Sequence, residues 1–200
     1  MNFDFNLDPF ENFTISLKAS ELKSKELNVS DFNAMSLSTI FNNKPSIRTV
    51  LFKGLRDQGF SFFSHYNGKK GSDILNNNNV ALLFFWPYLD HQIRIVGEAR
   101  KLSSQESDQY FQSRPRLSQI GAWASSQSAE LSHRAEFESK ITYFENKFSN
   151  QVIPRPETWG GFIVDPSEIE FWFAEVGRLH KRFVYSKTDA NNWNRFMRYP

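Results

Sequence analysis

The 200-residue chain contains no cysteine. That absence removes disulfides, thiolate nucleophiles, iron–sulfur clusters and Cys-type zinc sites, and it is compatible with a reducing compartment. Long apolar runs are also missing. The longest, Val80 to Trp86, is too short to cross a bilayer as a helix. The amino-terminal stretch Met1-Asn-Phe-Asp-Phe-Asn-Leu-Asp8 is acidic, without the positive and apolar regions of a secretory signal. Nor is charge of one sign concentrated. A formal net charge of +2 and a pI near 8.8 fall well short of the dense Lys/Arg field that marks nucleic-acid binding. The reading is a soluble cytoplasmic protein with neither a membrane nor a nucleic-acid partner.

Several chemical motifs are absent too. His65, His91, His133 and His180 show no H-E-x-x-H or paired metal spacing, so no metal is placed. There is no G-x-S-x-G elbow, no P-loop and no G-x-G-x-x-G, which excludes nucleotide binding through a Rossmann turn.

What is present in excess is aromatic. Phenylalanine accounts for 21 of the 200 residues, and aromatics together for 16%. Such a surplus requires a large core, a buried subunit interface or a flat ligand. A chain of this length buries roughly 70% of its unfolded surface, so it can build a core without covalent staples.

The order of elements reads as follows. Asp8-Pro9-Phe10-Glu11 is a capping box with proline at the first helical position, and Phe10, Phe13 and Leu17 carry a helix from about Pro9 to Lys25. From Ala34 the period becomes two: Met35, Leu37, Thr39 and Phe41 alternate, then a turn at Asn42–Pro45 leads into the strand segment Ser46–Leu55. Arg56–Gly59 turns into the aromatic strand Phe60–Ser64. A short helix, Lys69–Leu75, is ended by Asn76–Asn79, where asparagine tolerates left-handed backbone. Val80–Trp86 and His91–Lys101 are strands, the second with Ile93, Ile95, Gly97 and Ala99 on one face. Ser103-Ser-Gln-Glu106 is a second capping box, for a helix running toward Arg114. Phe137, Ile141, Phe144 and Phe148 stripe a helix from about Ser128. Strands return at Trp159–Val164, Ile169–Ala174, Phe183–Ser186 and Trp193–Arg198. The fold class is mainly β (α+β): one antiparallel barrel with helices around it, spanning residues 1–200 as one domain, with residues 1–32 forming an amino-terminal segment and helix.

The chemistry-bearing residues are basic. Arg48 and Lys53 lie five apart in one strand, which in a regular strand sends them to opposite faces and suits two anionic sites. Lys69 and Lys70 stand between two glycines at a helix start, either as a solvated turn or as a phosphate cradle. Arg114-Pro-Arg116 is either a solvated helix end or, with Tyr110 one turn earlier, a second phosphate clamp. Arg178-Leu-His-Lys-Arg182 follows the aromatic strand Glu170-Phe-Trp-Phe173. Together these features point to a flat, phosphorylated ligand.

Five stretches carry a resemblance: Arg48-Thr-Val-Leu-Phe-Lys53, Ser113-Arg-Pro-Arg-Leu-Ser-Gln-Ile-Gly-Ala-Trp-Ala-Ser125 with Gln127-Ser128, Trp159-Gly-Gly-Phe162, Ile169-Glu-Phe-Trp172 and Arg178-Leu-His-Lys-Arg182. In these, the chain from 33 to 200 resembles the pyridoxine/pyridoxamine 5′-phosphate oxidases. The resemblance implies an FMN-binding split β-barrel working as a homodimer, with flavin sites built from both chains. It implies FMN contacts at Arg48, Thr49, Val50, Leu51, Phe52, Lys53, Phe63, Ser64, Lys69, Lys70, Gln92, Gln127, Ser128, Trp172 and Arg182. Lys53, Tyr110, Arg114 and Ser118 would hold the substrate phosphate, and Arg178 and His180 would lie over the pyridine ring as the catalytic pair. The implied reaction converts pyridoxine and pyridoxamine 5′-phosphates to pyridoxal 5′-phosphate with O2, releasing H2O2 and, from the amine, NH3. Other readings are a related flavin oxidase acting on a phenazine precursor and, from a different class, a single-stranded nucleic-acid-binding barrel. Three departures from the family pattern stand out: Phe63 replaces the usual tyrosine, Lys69 the usual arginine, and an acidic amino-terminal segment stands where relatives carry an Arg-Arg-x-Tyr stretch that closes over the substrate.

Overall fold

The computed structural model describes residues 3–189 and 192–200. Helix α1 spans Pro9–Leu27 and is capped by Asp8, whose carboxylate accepts from the Phe10 N–H at 2.8 Å. The bond goes to the second helical residue, and the described hydrogen bonds contain no return bond from Glu11, so a simple cap replaces the expected box. Asn28, in the left-handed region at φ 52°, ends the helix. Its inner face sends Phe13 edge-on into Phe60 and Phe84, at 4.9 and 5.0 Å between ring centroids.

The next two hairpins turn on pairs of left-handed residues, the backbone that two-residue loops require. Asn42 and Asn43 join β1 (Ala34–Phe41) to β2 (Lys44–Leu51), and Asp57 and Gln58 join β3 (Leu55–Arg56) to β4 (Gly59–His65). Helix α2 (Lys69–Asn76) follows, then β5 (Asn79–Trp86) and β6 (His91–Lys101). α2 stops in an extended Asn77, φ −144°, so the asparagine run ends the helix without the anticipated left-handed residue.

After β6 come α3 (Ser104–Gln112), α4 (Arg116–Ala124) and α5 (Arg134–Lys147). The Ser103–Glu106 capping box of α3 forms in both directions. α4 was not anticipated, because Pro115 reads as a kink and the small residues of Gly121-Ala-Trp-Ala124 give little helical periodicity. α5 starts six residues later than expected, and its stripe of Phe137, Ile141 and Phe144 is only half-buried. The two strands expected over 159–174 are one, β7 (Trp159–Phe173), followed by β8 (Lys181–Lys187) and β9 (Trp193–Met197).

The nine strands form one antiparallel sheet in the order β2-β1-β5-β6-β7-β4-β3, with β8 on β7 and β9 on β8. β7 organises it. One edge pairs with β6 from Phe162 to Phe173, across a bulge at Val96/Gly97, while the other edge is shared between β4 (from Trp159 to Val164) and β8 (from Glu168 to Phe173). Gly97 is required there, since a Cβ would lie 2.2 Å from the Asp165 carbonyl. Beyond β2 the chain bends: Phe52 N–H still bonds Asn33 at 2.9 Å, whereas Lys53 N–H bonds the Ser61 carbonyl at 2.8 Å. That bend carries the sheet from β1 round to β4 and closes the barrel.

The barrel interior absorbs much of the aromatic surplus. Phe10, Phe13, Phe52, Phe60, Phe62, Phe84, Phe162 and Phe171 belong to one buried cluster, each such side chain contributing about 1.5–3 kcal/mol by leaving water. A smaller cluster of Phe111, Ile120, Phe148, Ile153 and Trp159 seats α3 and α4 on the start of β7. Among the described residues, no helix is long and apolar enough to cross a membrane.

Candidate active site

A cleft of about 710 Å³ opens where β2, β4 and the start of β7 meet α2, α3 and α4. Its lining includes Arg48, Lys53, Lys70 and Arg114 and not one carboxylate. Thr49, Val50, Leu51, Phe63, Ser64, Tyr110, Ser118 and Gln127 complete much of the wall. Arg48 and Lys53 therefore share one cleft and not two. The alternation expected of a regular strand is reset where the chain leaves the β2 ladder at Phe52–Gly54, with Gly54 at φ 108°.

Each cation is held differently. Arg48 donates to Thr39 Oγ1 and Ser46 Oγ, both at 2.7 Å, and Thr39 in turn donates to buried Asp73 at 2.8 Å. Burial lowers the Arg48 pKa, while Asp73 raises it. Lys70 donates to Gln127 Oε1 at 2.7 Å and to Ser64 Oγ at 3.1 Å, both neutral acceptors. Burial, and then the Arg48 charge, push its ammonium pKa down. Lys69, its neighbour, points elsewhere: it pairs with Asp73 and lies 5.3 Å from the Phe41 ring.

The floor is aromatic. Phe63 stacks against Tyr110 and Trp159, at 3.8 and 5.6 Å between centroids, and those two rings lie 6.3 Å apart. The Arg114 guanidinium lies 4.5 Å above Trp159, and Lys53 Nζ 5.9 Å from the Tyr110 ring, both in cation–π range. Arg114 Nη1 is buried with no hydrogen-bond partner. A buried donor left unmade costs about 1–3 kcal/mol, and this one sits in an acid-free cleft beside Ser118. The group that satisfies it must be an acceptor, and the surrounding charge selects an anion. Phosphate fits these donors, and the flat floor fits a ring.

His65 was not anticipated as part of the site. It lies on β4 opposite Trp159, is buried, and forms part of the cleft wall. Burial, followed by the charges of Lys70 and Arg114, lowers its pKa and keeps it neutral in this cationic setting. Only the β4–β7 register reveals its position. His65 and Gln127 also border an adjoining cavity of about 950 Å³ that contains Lys69 and Ser128.

Five anticipated residues lie on another face. Gln92 pairs with Trp172, and Trp172 with Arg182, forming one cross-strand row over β6, β7 and β8. The His180 ring packs on Trp172 at 4.5 Å, and its Nδ1 accepts from the Glu175 N–H at 3.2 Å. Because a backbone N–H can only donate, the proton of the neutral imidazole sits on Nε2. Arg178 is exposed in a turn where Gly177 and Arg178 both take positive φ, 69° and 62°. Phe52, the last of the anticipated contacts, is buried against Phe13, Phe60 and Phe84. Among the described residues, no group of three acidic or histidine side chains is arranged to hold a metal ion.

Comparison with known proteins gives this geometry a family. Residues 23–148 match the family described as pyridoxamine 5′-phosphate oxidase, and residues 159–200 the pyridoxine 5′-phosphate oxidase C-terminal dimerisation region. A pyridoxine/pyridoxamine 5′-phosphate oxidase of Bdellovibrio bacteriovorus is 45% identical over 99% of this chain and 100% of its own length. One from Leptospira biflexa is 47% identical over 92% of this chain and 85% of its own. Among solved structures, PhzG from Burkholderia lata, in complex with tetrahydrophenazine-1-carboxylic acid, superposes with a TM-score of 0.87 at 27% identity, covering 100% of this chain and 98% of that one. A pyridoxamine 5′-phosphate oxidase-related, FMN-binding protein from Nostoc punctiforme shares the fold at a TM-score of 0.76 and 15% identity, covering 98% of this chain and 100% of that one. Matched in order by both family regions, and over its length by relatives near half identical, the chain belongs to the pyridoxine/pyridoxamine 5′-phosphate oxidases.

Proposed function

We propose that this oxidoreductase uses FMN to convert pyridoxine 5′-phosphate and pyridoxamine 5′-phosphate to pyridoxal 5′-phosphate. Bound FMN would supply a two-electron acceptor, the electrons ending on O2 as H2O2; the amine substrate, with water, would also yield NH3. One observation carries the reading: a cleft lined by four cations and no carboxylate, over an aromatic floor, with one arginine donor left unsatisfied. In this reading Arg48, Ser64, Lys70 and Gln127 hold the FMN phosphate, with Thr49, Val50, Leu51 and Lys53 along the flavin and Phe52 behind them in the core. Lys53, Tyr110, Arg114 and Ser118 hold the phosphate of the vitamer. With both anions anchored, orientation alone removes much of the barrier.

The second half of the site comes from a second copy of the chain. Gln92, Trp172, Arg178, His180 and Arg182 form an outward-facing group, and all but Gln92 lie inside the region 159–200 that matches a dimerisation region. Brought over the partner's cleft, Trp172 flanks the flavin. Arg178 fixes the pyridine ring by charge-assisted hydrogen bonding. His180, donating from Nε2, orients the ring substituents. Neither residue acts as an obligatory base.

The phenazine-directed reading keeps one support, the PhzG likeness. Against it stands the grouping of Lys53, Tyr110, Arg114 and Ser118 in one cleft, which a ligand without phosphate does not require. Peroxide release tests the choice. Turnover of pyridoxamine 5′-phosphate far above that of unphosphorylated pyridoxamine supports the proposal; equal rates, or none with either, contradict it.

A further inference from the structure

We infer that Glu170 is a positioning residue that presets Arg182 for the cofactor, an inference that rests on the FMN reading above. Glu170 sits on β7 between Ile169 and Phe171, which both face the core, so its own side chain points to the outer face shared with Trp172. An outward residue has no reason of packing to be buried, yet the Glu170 side chain is only 1% exposed. Arginines cover it. Arg182 donates from Nε and Nη2 at 2.9–3.0 Å, Arg198 from Nη1 at 2.7 Å, and Arg94 Nη1 stands at 3.6 Å.

A carboxylate is buried at a high desolvation cost, which a bidentate guanidinium fork with further cations can offset. The arrangement fixes Arg182 along its whole Nε–Nη2 edge. Its Nη1 donates to the Tyr199 carbonyl at 3.0 Å, and the Arg182 carbonyl accepts from the Arg198 N–H at 3.0 Å. Arg198 in turn grips Glu168 at 2.9 Å, tying the chain end to the same strand. Arg182 therefore reaches the interface with its rotamer already chosen. What it offers a phosphorylated flavin is the remaining Nη1 hydrogen. Presetting of this kind raises affinity by removing the ordering cost at the moment of binding. Lysine could not substitute, since it has no fork with which to hold Glu170.

The test is a thermodynamic cycle on FMN binding, read by quenching of flavin fluorescence when the apo-dimer is titrated. Glu170→Gln keeps the shape and removes the charge; it is expected to weaken FMN binding about tenfold or more. Arg182→Ala weakens binding at least as much, and the double variant binds no worse than Arg182→Ala alone, because Glu170 acts only through Arg182. Arg182→Lys, which keeps the charge and loses the fork, should resemble Arg182→Ala, and this arm is read even where Glu170→Gln does not fold. Parent-like FMN affinity in Glu170→Gln or in Arg182→Lys, or losses that multiply in the double variant, overturns the inference while leaving the flavin reading intact. A parent protein that binds no FMN overturns both.

Discussion

The rings of Phe63 and Tyr110 stack at 3.8 Å between centroids, 20° from parallel, and join β4 at the aromatic floor of the cleft to α3, which carries Tyr110. Tyr110 is thereby held from the β4 side, in range of Lys53. Phe63 is also the position at which the sequence resemblance implies a tyrosine. Phe63→Tyr keeps the stack and adds a hydroxyl at the cleft wall. FMN affinity is expected to rise severalfold with little change in thermal stability, measured by fluorescence titration and thermal melts. A weaker-binding variant would mean the extra hydroxyl has no acceptor there.

Arg114 has a buried donor without a partner. Supplying its acceptor is worth about 1.5–3 kcal/mol for a charged pair, so Arg114→Ala is expected to raise the KM for pyridoxamine 5′-phosphate roughly 10- to 100-fold. FMN should stay bound. Steady-state kinetics on flavin-loaded enzyme checks this, and an unchanged KM would remove Arg114 from the phosphate clamp.

Arg178 stands in an exposed turn, with no described hydrogen bond or ion pair from its guanidinium, and the proposed dimer brings it to the substrate ring. Arg178→Ala should leave the yellow flavin in place and slow its reduction by substrate at least about tenfold, the loss of one charge-assisted contact in the transition state. Stopped-flow reduction at parental rate would show that the turn never reaches the substrate.

His91 makes stability depend on pH. Wholly buried between the Trp172 carbonyl at 2.9 Å and Ser16 Oγ at 3.2 Å, it ties α1 to β7. Burial pushes its pKa down from 6.5 to about 4, with the Trp172 bond opposing. The unfolded chain takes up a proton near 6.5 that the folded chain refuses until about 4. Stability is therefore full above the upper value and falls as pH drops through the window, by roughly 3 kcal/mol in all. Denaturant unfolding of the parent and His91→Gln at intervals from pH 7 to pH 4, over about this window, should give a shallower slope for the variant. Parallel slopes would place the acid sensitivity elsewhere.

Much of the barrel was legible because its strands alternate against a single core, and because Asn42, Asn43 and Asp57 tolerate the left-handed backbone of their turns, which Gln58 also adopts. Asp165-Pro-Ser167 looks like a break between two strands, yet β7 runs through it as one, paired with β6 across the Gly97 bulge. α4 was missed for want of periodicity. In the site, Lys69 and Lys70 are adjacent in sequence and diverge in space, since Asp73 one helical turn on captures the first. His65 carried no local signal, and neither did Glu170. Both depend on cross-strand neighbours brought together only by register.

The most direct measurement is anaerobic. FMN-loaded protein mixed with pyridoxamine 5′-phosphate should lose the absorbance of oxidised flavin in one phase, and recover it when O2 is admitted, with one pyridoxal 5′-phosphate formed per flavin reduced. Flavin that stays oxidised with both phosphorylated vitamers would contradict the proposed function.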